Sequence, residues 1–176
     1  MSSINNVERF RQRLSEGKPC LGLSILLSDP LVSELAVEAG YDFTWIETEH
    51  SYLDLKDVLG HILTVRGTNV APLVRVRVNE PAVIKPYLDL APAGIIVPQI
   101  RSAADAQQAV EACKYPPQGV RGFGPIRNMR YGNISDDEYM ETAGQQIMVF
   151  VQVEHIDAVN DVDAILATAD LDGIVL

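Results

Sequence analysis

Four short stretches of the chain put reactive side chains directly behind apolar runs: Glu47-Thr48-Glu49-His50, Arg75 with Arg77, Pro98-Gln99, and Gln152 with Glu154. Together they offer a base, a cation and an oxygen ligand for a hard metal. An imidazole titrates near neutrality, as a general base must, so His50 is either that base or a hydrogen-bonded structural histidine. The Glu154 carboxylate suits Mg²⁺ or Mn²⁺ better than a soft metal. Its other reading is an acid at a helix N-terminus, favoured by the helix dipole. Arg75 lies in an apolar run, where an unpaired guanidinium is costly. It therefore needs an anion, which is either a substrate or Glu47 or Glu49. His61 and His155 have no i, i+4 ligand spacing with each other or with His50, and both are assigned to structure or surface. The stretch Tyr115-Pro116-Pro117-Gln118-Gly119-Val120-Arg121-Gly122-Phe123-Gly124-Pro125 is too rich in Gly and Pro for helix or strand. It either covers a site or is a rigid crossover.

The elements that must position these groups follow from hydrophobic spacing. Residues 6–17 have helical spacing, with Val7, Phe10 and Leu14 on one face, and read as an N-terminal cap helix. Strands are expected at 21–27, 43–47, 71–76, 94–100 and 147–153, with a sixth opening at 173–176. The helices between them fall at 31–39 (apolar face Leu31, Leu35, Val37, Ala39), 53–66, 81–90, 103–114 and 156–167, with a further short one at 136–142. Short apolar runs alternating with amphipathic helices are the pattern of parallel strands covered by helices. Both a doubly wound sheet and a barrel have it. The first strand-to-helix turn lacks Gly-x-Gly-x-x-Gly and no Gly-x-x-x-x-Gly-Lys-Ser/Thr loop occurs, which favours the barrel. The fold class is thus α/β, a TIM (β/α)8 barrel with six βα units present. Eight units take about 250 residues, so a 176-residue chain is expected to be C-terminally truncated, its last units missing. Residues 1–176 form one partial barrel domain, with 1–19 as cap helix and lead-in. In a barrel the reactive groups gather at the carboxyl ends of the strands, where the four stretches fall.

Composition narrows the function. Fourteen Lys and Arg face twenty-four Asp and Glu, a formal charge of -10. That balance argues against nucleic acid and anionic membrane as partners. No apolar run approaches the roughly 20 residues of a membrane span and the first ten residues lack a signal-peptide core, so a cytoplasmic protein is expected. Cys20 and Cys113 lack metal-ligand spacing and read as reduced core thiols.

The order of several motifs resembles the HpcH/HpaI aldolase family. They are Ala39-Gly40-Tyr41-Asp42-Phe43, Glu49-His50, Leu73-Val74-Arg75-Val76, Val97-Pro98-Gln99, Lys114-Tyr115-Pro116-Pro117, Gly119-Val120-Arg121-Gly122-Phe123-Gly124, Gln152-Val153-Glu154 and Leu171-Asp172-Gly173. The resemblance runs from about Gly22 to Leu176. It implies a barrel of the phosphoenolpyruvate/pyruvate type and a class II aldolase that cleaves a 4-hydroxy-2-oxo acid to pyruvate and an aldehyde. It also implies a divalent metal (Mg²⁺, Mn²⁺ or Co²⁺) and a homo-oligomer. By resemblance Glu154 is a metal ligand, Arg75 steadies the pyruvate enolate, Gln152 contacts pyruvate, and His50 is the general base. Asp89 of a neighbouring subunit pairs with that histidine, while Glu47 and Glu49 support it. The second metal carboxylate of the family falls beyond Leu176, in a Gly-Pro-x-Asp segment. Where most relatives have Asp-Gly-Glu-His, this chain has Glu47-Thr48-Glu49-His50, a longer carboxylate that changes how the base is oriented. Because the metal polarises the carbonyl, no catalytic lysine is required, and Lys85 and Lys114 lie in expected helices. Two other readings stand beside this one: a non-catalytic truncated subunit or gene remnant, and a citrate lyase β-like carbon-carbon lyase acting on a coenzyme A thioester.

Overall fold

The structure, a computed structural model, describes residues 4–176; residues 1–3 of the expected lead-in lie outside the described part. Six strands, β1 (Gly22–Ile25), β2 (Phe43–Glu47), β3 (Ala71–Arg75), β4 (Gly94–Ile100), β5 (Met148–Val153) and β6 (Gly173–Val175), form one parallel sheet. Its spatial order, β1-β2-β3-β4-β5-β6, is the order of the sequence. A doubly wound sheet reverses its order at a switch point, whereas consecutive parallel strands with helices between them are the winding of a β/α barrel. The described residues therefore form six strands of such a barrel, five of them followed by their helices. The helices are α1 (Val7–Ser15), α2 (Leu31–Glu38), α3 (Leu55–Thr64), α4 (Pro81–Asp89), α5 (Ala103–Cys113), α6 (Asp136–Thr142), α7 (Ile156–Asn160) and α8 (Val162–Leu166).

The two faces of the sheet bury different residues, because alternate side chains of a strand point opposite ways. On the outer face Ile46, Val74, Ile95, Val97, Val149 and Val151 pack against Val58, Ile62, Ile84, Leu88, Val110 and Ile165 of the surrounding helices. On the inner face Ala71, Leu73, Ile96 and Met148 meet Phe43, Trp45 and Phe150. Gly94 permits the tight packing there: a Cβ on it would lie 2.8 Å from Leu73 Cδ2 and 3.2 Å from the Met148 carbonyl oxygen. Val7 and Phe10 of α1 complete this inner cluster, with the Phe10 and Phe43 rings 5.5 Å apart. Asn5 donates to the carbonyls of Pro92 and Gln146, and Asn6 to those of Val65 and Val70, all just upstream of β4, β5 and β3. The cap helix thus closes the amino end of the sheet and leaves the carboxyl end for chemistry.

Two expectations change and one open alternative is decided. The buried face of α2 is Ser33 and Ala36, while Leu31 and Leu35 stay exposed. Buried His61 of α3 selects that face: its Nδ1 accepts from the Ser33 hydroxyl at 2.9 Å and its Nε2–H donates to the Leu27 carbonyl at 2.8 Å. Burial holds this imidazole below its ordinary value, so His61 is a neutral structural residue. The helix expected over 156–167 breaks into α7 and α8 at Asp161, whose carboxylate turns away to accept the Ala103 N–H at 2.7 Å, at the start of α5. The Gly- and Pro-rich segment does not cover the carboxyl end of its own sheet. It runs from the end of α5 back toward the start of β5, as a crossover pinned by buried Arg121, Arg127 and Asn128 to Asp89, Leu90 and Leu88 at the end of α4. Cys113 is buried, which pushes its thiol up to about 12 and makes it inert.

Because α1 plugs the inner face with one large ring, Phe10→Ala should destabilise the fold by about 3–5 kcal/mol in urea denaturation. A loss under about 1 kcal/mol would mean that the ring does not fill the barrel floor.

Candidate active site

Parallel pairing places Glu47 of β2 directly beside Arg75 of β3. Both side chains stand on the inner face at the carboxyl end, above Trp45. The Arg75 guanidinium meets Glu47 Oε2 at 2.5 Å, donates to Gln152 Oε1 at 3.1 Å, and lies 3.4 Å from Glu49 Oε2. Its charge also rests over the Trp45 ring, 5.4 Å from the centroid, while the indole N–H donates to Glu47. The expected need of Arg75 for an anion is thus met by Glu47 and Glu49.

Glu47 does more than neutralise. Its second oxygen accepts the backbone N–H groups of Glu49 (2.7 Å) and His50 (3.0 Å), which shapes the turn after β2. Burial alone would push this carboxyl up, but the hydrogen bonds from Arg75 and from the backbone of His50 and Glu49 outweigh it. They hold Glu47 below its ordinary 4.5. Thr48 fastens the same turn by donating to the Arg75 carbonyl at 2.6 Å, and Arg77 donates to the carbonyls of Thr48 and Leu53. His50 stands at the rim, largely exposed, with Nε2 3.7 Å from Glu49 Oε2.

The far side of the site is built from β5 and β4. Gln152 passes its amide N–H to Glu154 Oε2 at 2.9 Å, and the backbone N–H of Gln99 donates to Glu154 Oε1 at 2.7 Å. The Gln99 side chain then donates to Glu49 Oε1 at 3.0 Å. Arg75, Gln152, Glu154, Gln99 and Glu49 therefore form a closed polar ring with His50 at its edge. Asp89 stands apart from His50 within the chain, at the end of α4, where it pairs with Arg121 at 3.0 Å. His155 caps α7 by accepting the Asp157 N–H and takes no part in the ring.

The donor set fits a hard divalent cation held by few protein oxygens. Three carboxylates, Glu47, Glu49 and Glu154, face one guanidinium, an excess of two negative charges that a divalent ion would neutralise. Each Glu154 oxygen accepts one N–H and keeps lone pairs free. Among the described residues, buried Glu49 Oε2 and Arg75 Nε face each other at 3.4 Å and neither has a hydrogen-bond partner. Among the described residues no three His, Cys, Asp or Glu converge as a complete ligand set, and Mg²⁺ commonly takes one or two carboxylates with water and substrate oxygens filling the rest.

Residues 21–176 match the family described as HpcH/HpaI aldolase/citrate lyase. The chain belongs to this family. A hydroxypyruvate/pyruvate aldolase of Pseudomonas aeruginosa is 37% identical over 170 residues, which cover 96% of this chain and 63% of that protein. A 5-keto-4-deoxy-D-glucarate aldolase of Shigella sonnei is 33% identical over 94% of this chain and 64% of its own length. The crystal structure of an HpcH/HpaI aldolase/citrate lyase family protein from Burkholderia cenocepacia J2315 superposes with a TM-score of 0.87 at 32% identity, covering 96% of this chain and 67% of that one. The chain thus spans a little under two thirds of the length of these curated HpcH/HpaI relatives.

Within this HpcH/HpaI site, two contributions escape a reading of residue types alone. Trp45 looks like an ordinary core aromatic, yet it contacts both members of the Glu47–Arg75 pair. Gln99 stood out only as a polar strand end, but its backbone adopts φ +59°, the left-handed region that costs a non-glycine residue about 1 kcal/mol or more. The signal that marks it is Pro98, since a proline inside a buried strand points to a bulge.

The lowered Glu47 carboxyl gives a pH dependence of defined sign. The folded state binds fewer protons there than the unfolded chain, so the stabilisation is complete well above pH 4.5 and is lost as the pH falls through the lowered folded value. Urea denaturation of wild type and Glu47→Gln from pH 7 to pH 3 should show a stability gap at neutrality that narrows in acid. A gap that is constant with pH would contradict the arrangement.

Proposed function

We propose that the protein is a class II, divalent-metal-dependent aldolase. It would act in the cytoplasm on a 4-hydroxy-2-oxo acid, releasing pyruvate and an aldehyde, or run the addition in reverse. The observation that carries the reading is Arg75, held between Glu47 and Gln152 at the carboxyl end of the sheet, with Gln152 linking it to Glu154. Family membership and the names of the relatives, both aldolases, support it.

Retro-aldol cleavage removes the proton of the 4-hydroxyl, breaks the C3–C4 bond, and leaves the electron pair on the 2-oxo fragment as an enolate. Protonation at C3 then gives the methyl group of pyruvate. His50 takes the hydroxyl proton at the rim. The Arg75 guanidinium stabilises the enolate oxygen, a preorganised charge whose direction Glu47 and Trp45 fix before substrate arrives. Gln152 orients the carboxylate end of the 2-oxo acid through its amide. Glu154 would hold a divalent cation, which when bound supplies Lewis-acid polarisation of the 2-oxo group. Asp89 of a neighbouring subunit in a homo-oligomer would pair with His50; a partly exposed side chain at the end of α4 is available for this.

Incubation with pyruvate in D₂O and saturating Mn²⁺ should exchange the methyl protons, read by proton NMR. Arg75→Lys should slow that exchange by roughly 100-fold, because the ammonium cannot reproduce the fork. His50→Ala should lower cleavage of a short 4-hydroxy-2-oxo acid by about 100-fold or more. A wild-type protein that exchanges no protons under Mn²⁺ or Mg²⁺ removes the proposal.

A further inference from the structure

The strand β4 carries an irregularity that serves no purpose in the sheet itself. Its pairing with β5 steps from Val97 opposite Val151 to Ile100 opposite Val153, so β4 has one residue more than its partner over that interval. Such a bulge interrupts the ladder and re-aims side chains, and bulges gather beside active sites. Two residues make this one. Pro98 has no N–H to give to the ladder, and Gln99 takes the left-handed φ of +59°.

That conformation frees the Gln99 N–H from the ladder and points it at Glu154 Oε1, 2.7 Å away, while the side-chain amide reaches Glu49 Oε1 at 3.0 Å. One residue thereby grips two carboxylates on opposite sides of the site. Among the described residues Glu154 has one other donor, Gln152. Glu49 lies between the Arg75 guanidinium and the His50 ring, at 3.4 and 3.7 Å. An ordinary ladder residue would supply neither contact, and two acids facing an excess of negative charge would drift apart without a donor between them.

We propose that Gln99 is a positioning residue, a brace formed by the β4 bulge that fixes the cation-side carboxylate Glu154 and the base-side carboxylate Glu49 in one register. The inference rests on the aldolase reading and adds to it the residue that couples the two halves of the site. The backbone N–H acts on Glu154 and the side-chain amide on Glu49, so the two effects separate by substitution.

Gln99→Met keeps the backbone and the length but removes the amide donor. Gln99→Gly also removes the donor, and it makes the left-handed backbone easy yet mobile, so the hold on Glu154 loosens too. Direct titration with Mn²⁺ alone, thermal melting, and the methyl-exchange kinetics of pyruvate are measured for both variants and wild type. The Met variant should bind Mn²⁺ within about twofold of wild type while its exchange kcat falls about tenfold, the size expected for an outer partner of a metal site. The Gly variant should melt at or above the wild-type temperature, bind Mn²⁺ about tenfold more weakly and exchange more slowly still. A purely structural bulge would give the reverse, a melting-temperature change with unaltered exchange. If both variants bind and exchange like wild type, the brace is wrong and the aldolase reading stands; if wild type itself neither binds Mn²⁺ nor exchanges protons, the aldolase reading falls and the brace with it.

Discussion

A guanidinium at the end of a buried parallel strand must be neutralised where it stands, and the pairing of Glu47 with Arg75 across β2 and β3 does so. Most of the site follows from that one contact. The register that sets Trp45 opposite Leu73 also sets Glu47 opposite Arg75, so the inner face changes from apolar to charged within one step of the alternation. The carboxylate that answers Arg75 also binds the backbone of Glu49 and His50, and the position of the turn is settled by the same charge. Removing Arg75 would leave buried Glu47 and Glu49 without their cation, at a cost of about 3–5 kcal/mol.

The pair does not use up the acidity of the site. Glu49 and Glu154 remain, tied to each other through Gln99 and to Arg75 directly or through Gln152. A substrate that is itself an anion would meet net repulsion there, which a divalent cation would cancel. The site's architecture and the proposed chemistry therefore make the same demand.

The strands and most helices were legible because a strand buried on both faces is written as an unbroken apolar run, and five such runs alternate with helical spacing. Arg75 was legible for the complementary reason: it is a charge where the run leaves no solvent to receive it. What escaped was set by tertiary partners. The leucines of α2 look like its buried face, but at the β1 edge of the sheet the face is chosen by a hydrogen bond between Ser33 and His61. The break between α7 and α8 depends on Asp161 reaching the start of α5, a partner 58 positions away that local spacing does not reveal. The crossover after α5 could be read as covering the mouth until Arg121, Arg127 and Asn128 were seen to be held at the end of α4. A left-handed glutamine has no compositional mark of its own, and only the proline before it hints at the irregular ladder.

Among the described elements the helix α1 comes earliest and is among the last that can settle. Its seat is assembled from carbonyls at positions 65, 70, 92 and 146 and from rings and methyls of β2 to β5. During synthesis it leaves the ribosome more than a hundred residues before that seat exists, with Val7 and Phe10 still bare. Contacts of such long sequence separation form late because loop closure must precede them. The growing chain thus carries an apolar helix that needs shelter until the fifth strand has paired, and docking of that helix reports the pairing of β2 to β5 beneath the site.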